Sequence, residues 1–121
     1  MILINHAELP VALEADGVEV RATEVGELTA GWFQLAAGTD LGPALAGLPG
    51  DMCPCPHWGY MIKGRLRMRT ADGDREYRAG EAFYWAPGHV PVAEEDCEYI
   101  DFSPTRDLAK VVEHIQGGGS A

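Results

Sequence analysis

The stretch Gly64-Arg-Leu-Arg-Met-Arg-Thr-Ala-Asp72-Gly73-Asp-Arg-Glu-Tyr-Arg-Ala-Gly80-Glu81-Ala-Phe-Tyr-Trp-Ala-Pro87-Gly88 decides how the chain folds. Arg65, Arg67 and Arg69 alternate with Leu66, Met68 and Thr70, the period of a strand with one buried face and arginines outward. Asp72-Gly73 follows, a pair suited to the two positive-φ positions of a type I′ hairpin. It returns the chain as a second strand over 75–78. Ala79-Gly80-Glu81 turns again into an aromatic strand over 82–86, which stops at Pro87-Gly88. Short strands separated by glycine turns are the signature of an all-β domain.

The same punctuation extends in both directions. Strands are predicted over 18–21 and 28–36, the second carrying Trp32, Phe33 and Leu35, and a breaker-rich loop runs from Gly42 to Gly50. A short strand over 57–61 and a last one over 97–102 bring the total to about seven or eight, which points to a sandwich or barrel. Beyond them Ser103 can cap a helix with Pro104 at its first position. Leu108, Val111, Val112 and Ile115 then recur at i, i+3, i+4 and i+7. The reading is a barrel over 18–102, a helix over 104–116 with its apolar stripe packed on the outside of the barrel, and a flexible tail over 117–121. At 121 residues this is a single domain that can bury a sufficient core without disulfides or metal.

Composition removes several function classes. Nineteen acidic against nine basic side chains give a formal charge of −10, which repels nucleic acid and anionic membrane surfaces. The first ten residues have no basic stretch and only a three-residue apolar run, so neither a signal peptide nor an anchor is expected there, and no segment is long and apolar enough to span a membrane. A cytoplasmic location is the expectation, with the three cysteines free or metal-bound rather than disulfide-linked.

The candidate chemistry lies just ahead of the deciding stretch, in Asp51-Met-Cys53-Pro-Cys55-Pro-His57-Trp-Gly-Tyr60. If the segment is extended, Cys53, Cys55 and His57 share one face. With His89, they make a candidate mononuclear site for a divalent transition metal. Thiolate and imidazole suit zinc first and iron or copper after it. The plain alternative is that each cysteine is a small buried hydrophobe, which is the reading preferred for Cys97. Tyr60, Met61, Tyr84 and Trp85 are candidate lining for a small-molecule pocket, against the alternative that they are core. The arginine row reads as a solvated face paired with acidic residues on a neighbouring strand. His6 and His114 read as surface residues.

The order of strands and the spacing of turn glycines resemble the cupin family over roughly residues 28–103. Gly64, the Asp72-Gly73 hairpin, Gly80-Glu81 and Gly88 fall where cupin motifs place their glycines and hairpin. The resemblance implies a jelly-roll barrel with a metal at its mouth. It also implies that the usual three-histidine, one-glutamate ligand set is missing: His57 stands at the position of the glutamate, Cys53 and Asp51 at those of the first two histidines, and Pro91 at that of the last. His89, two residues before Pro91, has the same parity. Cupins include dioxygenases, isomerases, epimerases and ligand sensors, and they commonly associate as dimers. Two readings stand together at this point: a metalloenzyme using its ion as a Lewis acid on a small organic molecule, and a non-catalytic small-molecule or metal-binding module. A homodimer is the expected assembly.

Overall fold

A computed structural model describes residues 1–117; of the tail expected over 117–121, Gly117 is the C-cap of the last helix and residues 118–121 lie outside the described residues. Nine strands are present among them: β1 (Val11–Ala15), β2 (Val18–Val25), β3 (Leu28–Leu35), β4 (His57–Lys63), β5 (Arg65–Thr70), β6 (Gly73–Arg78), β7 (Ala82–Trp85), β8 (His89–Ala93) and β9 (Cys97–Pro104). A single helical turn, α1 (Gly42–Leu45), interrupts the loop after β3, and α2 (Thr105–Gln116) ends the fold. The strands form two antiparallel sheets, β1-β2-β3-β9-β4-β7 and β6-β5-β8. Their apolar faces enclose a core of Leu35, Met61, Leu66, Met68, Phe83, Trp85 and Tyr99.

The arginine strand behaves as its alternation dictates. Leu66 and Met68 are buried, while Arg67 reaches Glu94 at 3.2 Å and Asp74 at 3.7 Å, and Arg69 reaches Asp40 at 3.1 Å. Its hairpin differs from expectation. Gly73 alone takes positive φ (119°), with Thr70 pairing Gly73 across Ala71-Asp72, so the turn is not type I′.

Two strands were not anticipated. No strand is predicted over 89–93, which contains Pro91; β8 lies at the edge of the three-stranded sheet, where a missing backbone donor is tolerated. β1 is a short, mostly exposed edge strand with little apolar signal. At the C-terminal end, Ser103 does not cap the helix: it is the last buried position of β9, and Pro104 occupies the N-cap. Nor does α2 lie on the barrel's outer wall. Its stripe turns toward the barrel interior, where Val111 packs with Leu45, Cys53, Cys55 and Val90, and His114 Nε2–H donates to the Ala46 carbonyl (2.7 Å).

Gly64 joins β4 to β5 at φ 82°, and a Cβ there would press on the Asp96 carbonyl. Gly26 has a similar φ (64°) with open space around it. Gly64→Ala is expected to lower stability by about 3 kcal/mol, from left-handed strain plus overpacking, and Gly26→Ala by about 1 kcal/mol from strain alone. Urea unfolding of the two variants measures the difference; equal losses would show that the contact with Asp96 carries no cost.

Candidate metal centre

Backbone pairing brings the two halves of the site together. Cys53 lies ahead of β4 and makes an isolated bridge with His89: its N–H donates to the His89 carbonyl (2.9 Å), and the Gly88 N–H donates to the Cys53 carbonyl (2.8 Å). His57 opens β4 and pairs with Trp85 of β7, the strand that leads through Ala86-Pro-Gly88 to His89. Cys53, His57 and His89 are all buried, and one ligand atom from each lies within 4.8 Å of the other two. Cys53 Sγ is 3.6 Å from His57 Nε2. A tetrahedral zinc centre with ordinary Zn–S and Zn–N bonds separates such a pair by about 3.6 Å.

The outer nitrogens of both imidazoles are held. His89 Nδ1–H donates to the Ala86 carbonyl at 2.7 Å, which leaves Nε2 with its lone pair. His57 Nδ1 lies 2.6 Å from Ser103 Oγ and 3.5 Å from Asp101 Oδ2. With the proton on Nδ1 donated to Ser103, His57 Nε2 also faces Cys53 as a free acceptor. Orientation of a ligating imidazole through its second nitrogen is a general requirement of metal sites. The donor set therefore fits a soft or borderline divalent ion bound by three protein ligands with room for a fourth.

Cys55 is not a member of this group. Pro54 and Pro56 lack N–H donors and keep residues 54–56 out of the ladder, so the shared extended face does not form. Its thiol contacts the Pro56 carbonyl (3.5 Å) and the side chain packs with Leu45, Val90 and Val111. Asp51 is also remote: its exposed side chain accepts from the Gly47 N–H at 2.9 Å. Cys97 is buried in the main core.

The group opens onto a cavity of about 350 Å³ bounded by inward faces of β2, β3 and β9 and by the stripe of α2. Of the four expected lining residues, Trp85 is there, whereas Met61 is sealed in the core and Tyr60 and Tyr84 stand on the outer face, about half exposed. Sequence reading missed Asp101 and Ser103. Both follow Cys97 and Tyr99 at inward positions of β9, and that period-2 parity was the available signal. Asp101 pairs laterally with two glycines, Gly31 of β3 and Gly59 of β4. Its carboxyl is buried, and Oδ1 has no hydrogen-bond partner.

Burial keeps the metal-free group uncharged. It pushes the Cys53 thiol up to about 11, and it lowers His57 to about 3 with a smaller contribution from His89. His89 is lowered by burial, partly offset by its bond to Ala86. Asp101 is raised well above the usual carboxylate range by burial.

No protein-family model and no curated protein matches the sequence. Solved structures do. KdgF from Halomonas sp. superposes with a TM-score of 0.65 at 25% identity, covering 90% of this chain and 97% of that one. An RmlC-like cupin from Shewanella frigidimarina gives 0.63 at 17% identity, with 88% and 93% covered. Ectoine synthase from P. lautus gives 0.65 at 12% identity, with 86% and 78% covered. The barrel is a cupin barrel. Within this cupin-type barrel the turn glycines keep the expected frame, while Cys53, His57 and His89 form a group of their own arrangement that could hold a metal.

Asp101 also makes a stability prediction for metal-free protein. A carboxyl whose folded pKa is raised contributes stability that is present below its unfolded value of 3.8 and lost as pH rises through the folded value. Asp101→Asn does not titrate. Thermal melting should therefore show Asp101→Asn more stable than the parent at pH 7, with the gain shrinking toward pH 4; a gain independent of pH would assign it to packing instead.

Proposed function

We propose that this cupin is a mononuclear metalloenzyme in which Cys53, His57 and His89 hold a divalent transition metal, zinc first, beside a cavity for a small organic molecule. The observation that carries the reading is the convergence of Cys53 Sγ, His57 Nε2 and a ring nitrogen of His89 at the wall of that cavity. Ectoine synthase, an enzyme by name, supports the use of this barrel for small-molecule chemistry. When bound, the ion supplies Lewis acidity to an oxygen of the substrate. The protein supplies the rest. The Ala86 carbonyl fixes the His89 tautomer, Ser103 orients the His57 ring, and Cys53 would contribute one negative charge after losing its proton. Val20, Phe33 and α2 give the cavity a mostly apolar wall, and electrostatic interactions are stronger beside such a wall than in water.

Metal content by elemental analysis tests this directly. Protein purified without added metal, or after zinc addition and desalting, should hold close to one equivalent. Cys53→Ala, His57→Ala and His89→Ala should each fall below about a tenth, whereas Cys55→Ala should retain the metal. Less than about a tenth in the parent after zinc addition refutes the centre and leaves a cavity-binding module. Because the Cys53 thiol sits near 11 while both imidazoles are already neutral, uptake between pH 7 and 9 should release about one proton. Competition with a chromophoric chelator should then show apparent affinity rising about tenfold per pH unit. A flat profile would remove the thiol from the ligand set.

The protein is further proposed to act as a homodimer through the outer face of β4 and β7. Trp58, Tyr60, Ile62 and Tyr84 stand there 38–53% exposed, and Trp58 lies 5.1 Å from Tyr84 between ring centroids. The solvent face of an antiparallel sheet is ordinarily polar, and aromatic residues are enriched at interface cores. These four side chains carry no charge in a chain of −10, so two copies meeting on them would bring few like charges together. Light scattering should give about twice the 13.1 kDa chain mass, and Trp58→Ser with Tyr84→Ser should give the monomer. A monomeric parent refutes the dimer.

A further inference from the structure

The cavity contains a polar group that the proposed metal centre leaves free. Asp101 Oδ2 faces His57 Nδ1, but Oδ1 has no partner although the residue is only 1% exposed. Trp85 Nε1 is likewise buried without a partner, and both residues line the same cavity. A buried acceptor or donor left without a partner by the protein costs about 1–3 kcal/mol, so a ligand able to hydrogen-bond these atoms is favoured over a purely apolar one of the same shape. Gly31 lies beside Asp101 in the strand register and also lines the cavity; a Cβ there would stand 2.7 Å from the Phe33 ring and 3.1 Å from Oδ1, so a side chain at this position would crowd both the ring and the carboxyl oxygen.

The rest of the lining states what the ligand is not. Among the described residues no lysine or arginine lines the cavity, and the walls are Leu13, Val20, Phe33, Leu108, Val111 and similar side chains. A divalent ion on one thiolate retains a single positive charge, enough to match one anionic oxygen and no phosphate or second acidic group.

We infer that Asp101 Oδ1, kept accessible by Gly31, is the polar anchor for the substrate, and that the substrate is a small hydroxylated molecule with an otherwise apolar body. This deepens the metalloenzyme reading and takes the site from it, but the hydrogen bond to Asp101 does not require the ion. Trp85 Nε1 is a second unpartnered donor on the wall of the same cavity.

NMR titration of the zinc-treated and chelator-treated protein with benzyl alcohol, toluene and benzyl phosphate tests the anchor. The parent should bind benzyl alcohol about tenfold or more tightly than toluene, the size of one well-formed hydrogen bond in an apolar site, and should bind benzyl phosphate more weakly than the alcohol. Asp101→Ala and Gly31→Ala should each reduce the alcohol-to-toluene preference to about twofold or less, while Asp101→Asn, which keeps a hydrogen-bonding end, should retain it. An unchanged preference in both Asp101→Ala and Gly31→Ala overturns the anchor, as does benzyl phosphate binding as tightly as the alcohol, or failure of all three probes to bind. A parent that holds no zinc yet keeps an Asp101-dependent preference would refute the metal centre and support the anchor. A parent that holds zinc but shows no such preference would do the reverse.

Discussion

Two backbone hydrogen bonds, from Cys53 N–H to the His89 carbonyl and from Gly88 N–H to the Cys53 carbonyl, hold the site together. They join a segment that belongs to no strand to the start of β8, and so place a thiol beside an imidazole that is remote in sequence. Pro54 and Pro56 make this bridge the place where the segment can pair, because neither can donate to a ladder. Gly88, at φ 94°, gives the tight turn that aims His89 back toward Cys53. His57 then needs only to begin β4 opposite Trp85 for its ring to complete the group.

The site lies between two apolar clusters, and this position explains how so many polar side chains can be buried together. Below it, Leu35, Met61, Leu66, Met68 and Tyr99 fill the barrel; above it, Leu45, Val90 and Val111 close the end under α2. Burial costs a polar group most when it is charged or unpaired. Cys53, His57 and His89 meet the first condition by remaining neutral in the metal-free protein, and the imidazoles meet the second through Ser103 and Ala86. Asp101 is held toward its neutral form by burial but leaves one oxygen without a protein partner.

The frame of the fold could be read from local pattern because local sterics set it. Gly64 needs its positive φ, and the alternation of arginine with leucine and methionine across β5 survives into the burial pattern unchanged. What could not be read depended on partners far along the chain. Ser103 carries a good capping side chain, but its oxygen is used by His57, 46 residues away in sequence. β8 was obscured by Pro91, since a proline's cost depends on whether the strand is central or at an edge. Asp101 was visible as an inward position of β9, yet its meaning comes from the glycines beside it on two other strands. For α2 the periodicity gave the stripe correctly and said nothing of whether it would face the barrel wall or the barrel's cavity.

The three cysteines show why residue type alone was an insufficient guide to the chemistry. All are buried, and burial drives all three thiols in the same direction, to about 11 for Cys53 and about 12 for Cys55 and Cys97. By proton affinity they are nearly alike, so none is a reactive thiol and the difference between them lies in company. Cys97 packs among Leu35, Met61 and Tyr99, and Cys55 among Leu45, Val90 and Val111, where a thiol serves as a small apolar group. Cys53 shares that second cluster, but its sulfur also faces two imidazole nitrogens. A metal ion can displace a proton from a thiol with a pKa near 11 only when other ligands share the binding energy. The barrel provides such neighbours at Cys53 and at neither of the others, which makes the position of the Cys53–His89 bridge, rather than the number of cysteines, the determinant of where a metal can be held.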